Sequence, residues 1–570
     1  MTLVALFVLA AGWRLLYIAR IAKSPLAGSM FDDARIYWAW SERIANGDLV
    51  GANPFFLAPL YPYLLGLLRA LLGHSPTALL AVQALWGALA VALLADAVRR
   101  VTRPAIGVVV GVVLVFYEMA VFFDGLFLTE SLLFCLASFL IWWIARFDWT
   151  TAGWRAAALA GVVVGLLAAG RATMALVLLP VAMLLRGHAS ANVRMAVLFG
   201  GFVLVVAPIS LHNYVTSREW IPFTYSAGFN LYAGNNPQAT GTFVPITGDS
   251  AHQPQGLDGG VELDGRDELN RASGLSLTPS GSSAHWGRRA WEYMTRNPGS
   301  ALRLAAVKLA MLWNAREYPQ IENVEEYRGI AGPVGLPVVG RFALLGALAL
   351  VGAVFAWNAG PVGRFVLGYA LVVSLATSVF FVTGRYRHQL IPACAMLAGI
   401  GIQGLWPGRS RAGSRWTPWG ALVAGLILVH LPAPGPTAGQ SEALLARNKG
   451  ERFHQSALLA ARSGRLEAAE RDFAEAVRVD PRLDRAWGGL IRIQVQLGRT
   501  EQARESFVRA RAAGLSGPAV HAYEALFAAL SHDVVAAEAA LRRIPEPSLR
   551  SDPDLAEVVA VTRRIMSATR

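Results

Sequence analysis

Long uncharged apolar runs recur through the first three quarters of the chain and constrain its fold more than any other feature. Many approach the roughly 20 residues that cross a bilayer. With 55% hydrophobic and only 16% charged residues over 570 positions, the chain reads as a polytopic membrane protein rather than a soluble enzyme. A formal net charge of +13 would suit nucleic acid, but the arginines cluster in short loops between apolar runs. Positive-inside topology places them there, so no nucleic-acid partner is expected. Cys135 and Cys394 both fall within apolar segments, where free cysteine acts as a small hydrophobe. Neither a disulfide framework nor a cysteine metal site is implied.

The expected fold class is all-α, a bundle of about eleven spans followed by a soluble solenoid. The spans are read at Leu3–Ala19, Ala78–Ala95, Pro104–Tyr117, Leu126–Ala145, Ala156–Gly170, Ala172–Leu185, Val193–Leu211, Phe342–Ala356, Phe365–Thr383, Leu390–Trp406 and Trp416–Leu431. Two further helices, Ala58–Gly73 and Ala301–Trp313, are expected to lie along the membrane surface, with Arg303 and Lys308 snorkelling to water. Arg99, Arg100 and Arg103 mark a cytoplasmic loop, which puts the first loop outside. Arg364 and the cluster Arg409, Arg411 and Arg415 then fall in the cytoplasm as well. The membrane domain is taken as residues 1–432, with outer loops at 24–76 and 215–338.

A Pro-rich junction at 433–440 separates this part from a charged, alanine-rich domain at 441–570. Residues there repeat at an interval of 34: Gly464 and Gly498; Ala469, Ala503 and Ala537; Phe473, Phe507 and Leu541; Ala476 and Ala510. That period, with Trp487 early in the second repeat and Pro481 ending the first, is the tetratricopeptide signature. The third repeat departs from it at His521, where the early aromatic should stand. Three such units stack into a short solenoid, a module for protein contact. An odd number of spans puts it outside with the first loop.

The first loop, residues 31–63, concentrates acidic and aromatic residues just beyond the first span. An acid kept at the edge of hydrocarbon is a functional candidate. Asp32 and Asp33 could instead cap the helix that starts near Ala34. The topology gathers Asp32, Asp33, Glu118, Asp124 and Glu130, the last about one turn into its span, on the same face as Arg171, Arg385, Arg387 and His388. Carboxylates that accept a proton and guanidinium forks that hold phosphate suit chemistry on an anionic lipid. The plainer alternative makes Arg385 and Arg387 interfacial anchors and Glu130 a structural partner.

Several short motifs resemble the GT-C glycosyltransferases of family 39, which include protein O-mannosyltransferases and lipid A aminoarabinose transferases. They are D-A-R-I-Y at Asp33–Tyr37, A-P-L-Y-P-Y at Ala58–Tyr63, L-T-E-S-L at Leu128–Leu132, G-R-A-T at Gly170–Thr173 and R-Y-R-H-Q-L-I-P at Arg385–Pro392. The resemblance covers about residues 1–406. It implies inverting transfer of a sugar from a polyprenyl-phosphate carrier to an acceptor hydroxyl of protein, lipid or glycan, with an aspartate base in the first outer loop. Matching favours Asp33 as that base, with Asp32 the leading alternative, because this chain reads D-D-A-R-I-Y where family members commonly read D-E-A-x-Y. By the same matching Arg385 and Arg387 hold the carrier phosphate with Arg171 and His388 assisting, Glu130 orients a polar group, and Tyr37, Tyr61 and Asp124 line the acceptor and sugar pocket. Some family branches use a divalent metal; no HExxH or clustered histidines occur here, so no metal ligands are assigned. A bacterial inner membrane is the expected location, and the parity set by Arg99, Arg100 and Arg103 puts the catalytic loop and the solenoid on its outer side.

Two other classes compete. A polyprenyl-lipid transporter or flippase would also carry charge within spans, but internal repeat symmetry and broken midplane helices are not evident. An anchored assembly scaffold would need only the solenoid and a single anchor.

Overall fold

The computed structural model describes residues 2–24, 30–186, 190–243, 266, 269–270, 274, 276–336, 341–406, 417–432, 435, 438–551 and 553–569. Helices are the only repeating elements among them. They form two compact units, one drawn from residues 1–27 and 32–437 and one from residues 28–31 and 438–570. Arg409, Arg411 and Arg415, most of residues 244–275, and Trp416 lie outside the described residues, as does part of the Pro-rich junction.

In the membrane unit, four helical stretches are long and apolar enough to cross a bilayer: Thr2–Ile21, Pro76–Val101, Ala191–Ser217 and Phe342–Val379. The last is two helices, Phe342–Ala356 and Gly360–Val379, broken where Gly360 takes a φ of +82°. Shorter apolar helices complete the bundle, among them Pro104–Val115, Trp154–Gly170 and Ile391–Leu405. Small residues bring backbones together, as they do where lipid supplies no hydrophobic drive between helices. A Cβ at Gly161 would stand 2.0 Å from the carbonyl oxygen of Leu198, and one at Gly352 only 1.8 Å from that of Leu397. These contacts seat Trp154–Gly170 on Ala191–Ser217 and Phe342–Ala356 on Ile391–Leu405.

Four expectations are corrected. The span expected from Leu126 begins at Glu130, so that residue opens its helix instead of lying a turn inside it. The reason is Gln83, whose side-chain amide donates to the carbonyls of Phe123 (3.2 Å), Asp124 (3.2 Å) and Leu126 (2.6 Å) and holds them in a turn. The segment Ala172–Leu185 is a 3-10 turn over Ala172–Val177 before its α-helix starts at Leu178. The span expected to run to Thr383 stops at Val379, because Val382 N–H donates to Gly241 and Gly384 N–H to Tyr318, each at 2.8 Å. Finally, Lys308 does not snorkel. It lies buried on the Pro298–Leu312 helix and donates to Asn235 Oδ1 at 2.9 Å.

The C-terminal unit pairs helices as the 34-residue period requires. Ala438–Arg462 packs on Leu466–Val479, Asp484–Gln496 on Thr500–Ala513, and Pro518–Leu530 on Val534–Leu541. Ala469, Ala503 and Ala537 are each fully buried where paired helices touch. Gly464 and Gly498 turn the chain with φ of +71° and +73°. One period later His532 holds the same left-handed conformation at +61° with a side chain that disfavours it. The short helix Glu546–Ser551 and the helix Pro553–Thr569 end the unit.

Candidate active site

The first loop folds as a helix, Asp33–Ala45, held against Leu60–Leu72. Arg69 of the second helix is buried beneath the first, donating to Trp38 O (2.7 Å) and Ser41 Oγ (2.9 Å), with its guanidinium 4.1 Å over the Trp38 ring. This clamp fixes the helix that presents the two aspartates. Asp32 occupies the N-cap position, yet its side chain makes no cap hydrogen bond. Its φ is +51°, a strained value for a residue with a Cβ. A capping role therefore does not account for the pair.

Asp33 Oδ2 accepts from Arg385 Nη1 at 2.8 Å. Arg385 Nε donates to Glu130 Oε1 at 2.9 Å, and the same oxygen accepts from Arg171 Nη2 at 2.8 Å. Four separate segments thus meet in one alternating chain of charge: the first loop, the turn at Gly384–His388, the start of the Glu130–Arg146 helix and the end of the Trp154–Gly170 helix. Glu130 is fully buried, and its Oε2 has no hydrogen-bond partner among the described residues. Arg171 lies 4.1 Å over the Tyr386 ring, which stacks on Phe381. The chain reaches the surface at both ends, with Asp33 16% and Arg171 15% exposed.

Asp32 lies beside this chain. Burial raises its carboxyl to about 7, and the charge of Asp33 adds to the rise while Arg385 and Arg35 oppose it. Tyr37 is buried on the same helix with its ring 5.5 Å from that of Tyr61. Burial first, and then the Asp33 charge, push its phenol above the usual tyrosine range. Tyr61 Oη donates to Gln83 Oε1 at 2.8 Å and so supports the turn ahead of Glu130.

Asp124, Arg387 and His388 do not join the cluster. Asp124 is buried against the first span, where it accepts from Arg14 Nε at 2.6 Å and from Ser131. Its carboxylate is therefore taken by structure, not turned toward a sugar. Arg387 donates to the carbonyls of Asn314 and Arg316, pairs with Glu317 and lies 4.4 Å over Phe342. That guanidinium is committed to the segment after the Pro298–Leu312 helix. His388 is wedged between Phe123 and Phe134 at 4.9 and 5.0 Å. Burial, then the charges of Arg14 and Arg171, hold its imidazole down at about 3, so it stays neutral and cannot attract phosphate by charge. Glu118 pairs with Arg328 and Arg341 away from these residues.

Among the described residues no group of three or more His, Cys, Asp or Glu side chains is arranged to hold a metal ion. No step below is routed through one.

Residues 56–214 match the family described as dolichyl-phosphate-mannose-protein mannosyltransferase, and residues 460–530 match the tetratricopeptide repeat. That stretch of the membrane unit is thus similar to a mannosyltransferase family, and it contains the motifs at Ala58–Tyr63, Leu128–Leu132 and Gly170–Thr173. The match begins after Asp32 and Asp33 and ends before Arg385. No curated protein matches the chain. Among solved structures it is similar to ArnT from Cupriavidus metallidurans bound to undecaprenyl phosphate, at 15% identity and a TM-score of 0.42 over 99% of this chain and 88% of that one. It is also similar to the archaeal oligosaccharyltransferase AglB from Archaeoglobus fulgidus in complex with an inhibitory peptide and a dolichol-phosphate, at 12% identity and a TM-score of 0.40 over 79% of this chain. The chain spans 59% of that archaeal protein's length. At such TM-scores neither likeness bears on the chemistry.

One feature of the site went unread in the sequence: Tyr386, between the two arginines, supplies the face on which Arg171 rests. Outside the site, Lys308 was misread as snorkelling although Leu304, Met311 and Leu312 share its helical face and already marked that face as one to be buried.

Proposed function

We propose that this chain transfers a sugar, with inversion, from a polyprenyl-phosphate carrier to an acceptor hydroxyl at the cluster of Asp32, Asp33, Arg385, Glu130 and Arg171. The observation that carries the reading is the continuous ion-pair chain from Asp33 to Arg171, which joins distant segments and reaches the surface at both ends. An attacking hydroxyl needs a proton acceptor whose pKa lies near the working pH. Asp32 meets that need better than Asp33: its carboxyl is raised to about 7, whereas Asp33 already accepts from Arg385. We therefore assign Asp32 as the base and Asp33 as the group that orients Arg385.

The acceptor oxygen forms a bond to the anomeric carbon as the bond from that carbon to the phosphate oxygen breaks, and the hydroxyl proton passes to Asp32. The electron pair leaves with the polyprenyl phosphate. Arg171 and Arg385 stabilise that charge through charge-assisted hydrogen bonds, and a phosphate leaving group needs no dedicated acid. Glu130 Oε2, buried and without a partner among the described residues, would accept a hydrogen bond from a hydroxyl of the sugar.

The arginine loops support an outer-face site in a bacterial inner membrane, with the repeats on the same side and available to a protein partner or polypeptide acceptor. The deciding experiment supplies membranes containing the chain with polyprenyl-phosphate sugars labelled in the sugar. Label covalently attached to an acceptor, and lost in Asp32→Asn, is expected. Carrier that crosses the bilayer with its label still attached would favour a flippase and sink the proposal.

A further inference from the structure

Lys308 is fully buried on the Pro298–Leu312 helix, and among the described residues its amine has a single hydrogen-bond partner, Asn235 Oδ1 at 2.9 Å. A buried amine so sparsely bonded is costly, whereas a methionine would fill the same space without that cost. What the lysine adds is a donor aimed at Asn235. That amide is buried too, and both ends of it are engaged. Its nitrogen donates to Leu231 O and to Val379 O, each at 2.8 Å, while its oxygen accepts from Lys308. An amide carries its donors on one side and its acceptor on the other, so holding the oxygen fixes which way the nitrogen points. Lys308 thereby keeps the donor side of Asn235 turned to Val379.

Val379 is the last residue of its helix, and the chain runs from there into the site. Phe380 O lies so near Gly234 that a Cβ on that glycine would stand 1.9 Å from it, and Val382 N–H donates to Gly241 O at 2.8 Å. Phe381, between them, stacks on Tyr386 with ring centroids 5.1 Å apart. Tyr386 in turn carries the Arg171 guanidinium 4.1 Å from its ring centre. A run of contacts thus leads from Lys308, outside the cluster, to one of the two guanidinium groups that meet the leaving phosphate in the proposed reaction.

We propose that Lys308 is a positioning residue for sugar transfer: by orienting Asn235 it fixes Val379–Val382, and through Phe381 and Tyr386 it sets where Arg171 meets the carrier phosphate. The inference rests on the proposed function for the role of Arg171, while the strut from Lys308 to Tyr386 rests on geometry alone. A contacting group is held to its productive position by such supporting contacts, and it drifts when they loosen. Arg171 would bind the phosphate before the transition state as well as in it, so its drift should raise the donor KM. A lysine that served the fold alone would instead lower the folded fraction, and with it the apparent kcat, at unchanged KM.

The test compares Lys308→Met, Lys308→Gln and Asn235→Asp in the detergent-solubilised full chain. Hydrogen exchange at amides 379–388 is read first without substrate, and the donor KM is then read with a polyprenyl-phosphate sugar. Lys308→Met removes the donor, so it should speed exchange over that segment and raise the donor KM about two- to tenfold, the weight of one hydrogen bond. Lys308→Gln keeps a donor and should restore both. Asn235→Asp answers the amine with charge but cannot donate to Val379 O, so it should behave like Lys308→Met. Unchanged exchange in Lys308→Met, or equal losses in Lys308→Met and Lys308→Gln, overturns the strut whatever the activity. Faster exchange with an unaltered donor KM overturns the link to Arg171. A chain that transfers no sugar at all fails the proposed function instead, and the exchange results still decide the strut.

Discussion

Arg385 and Arg387 stand two residues apart on a single helical turn, and their guanidinium groups close different circuits. Arg385 joins Asp33 to Glu130, while Arg387 ties down Asn314, Arg316 and Glu317. Loss of Arg385 should therefore act on turnover and donor binding, since a charge-assisted partner disappears in both ground and transition states. Arg387→Ala should act on the fold. Two carbonyls and a carboxylate lose their donor, a change that costs about 3–5 kcal/mol for a broken buried pair. Thermal melts in detergent, set beside transfer rates normalised to folded protein, distinguish the two. A normal melt with lost transfer in Arg387→Ala would place that residue in the site after all.

The aspartates separate by pH. Asp32→Asn should lower transfer by about 10²- to 10⁴-fold, the range for loss of a general base. In the unaltered enzyme kcat/KM should fall about tenfold per pH unit below about 7, as Asp32 takes up its proton. Asp33→Asn should lower the rate yet keep that acid limb. If instead Asp33→Asn removes the limb and Asp32→Asn keeps it, the roles exchange.

Stability carries the same signature with its sign fixed. Because the folded carboxyl of Asp32 is raised above its ordinary value, the fold disfavours the ionised form, and stability falls as pH rises from about 4 to about 7. Asp32→Asn should therefore raise the melting temperature at pH 8 and leave it unchanged at pH 4, where Asp32 is protonated in the fold. An equal shift at both values would point to packing rather than to charge.

In the repeats, the period carries a strained position. His532 sits where Gly464 and Gly498 take positive φ, and a residue with a Cβ in that conformation costs about 1–2 kcal/mol. His532→Gly should stabilise the C-terminal unit, offset in part by the greater freedom of glycine in the unfolded chain. Gly498→Ala should destabilise it. Denaturant titration followed at Trp487 would read both.

The sequence made the architecture legible wherever a period repeated or an apolar run lengthened. The repeats announced themselves because Ala469, Ala503 and Ala537 must be small where helices touch. Asp33, Glu130, Arg171 and Arg385 could be singled out because charge at the edge of hydrocarbon is costly without a purpose. Their partners could not be. Nothing in sequence order says that Glu130 and Arg385, 255 residues apart, share a hydrogen bond while Arg387 turns away. Asp124 misled for a related reason: it lies near Glu130 in the chain, but its carboxylate is fixed by Arg14, 110 residues earlier. Helix ends slipped where side chains outside the helix decided them, as Gln83 does before Glu130.

The Arg14–Asp124 pair also sets an order of events at the ribosome. An arginine near the middle of a span costs about 2.5–3.5 kcal/mol at insertion unless something answers its charge. Its carboxylate lies 110 residues downstream. With synthesis running at about 5–20 residues per second, Asp124 emerges some 5–20 seconds later. Through that interval the first helix is a poor free lodger in lipid, and it must wait beside the insertion machinery until the Glu118–Asp124 segment arrives to claim it. The Thr2–Ile21 helix is thereby released only after the helices Pro76–Val101 and Pro104–Val115, which lie between the two partners in the chain, have also been made.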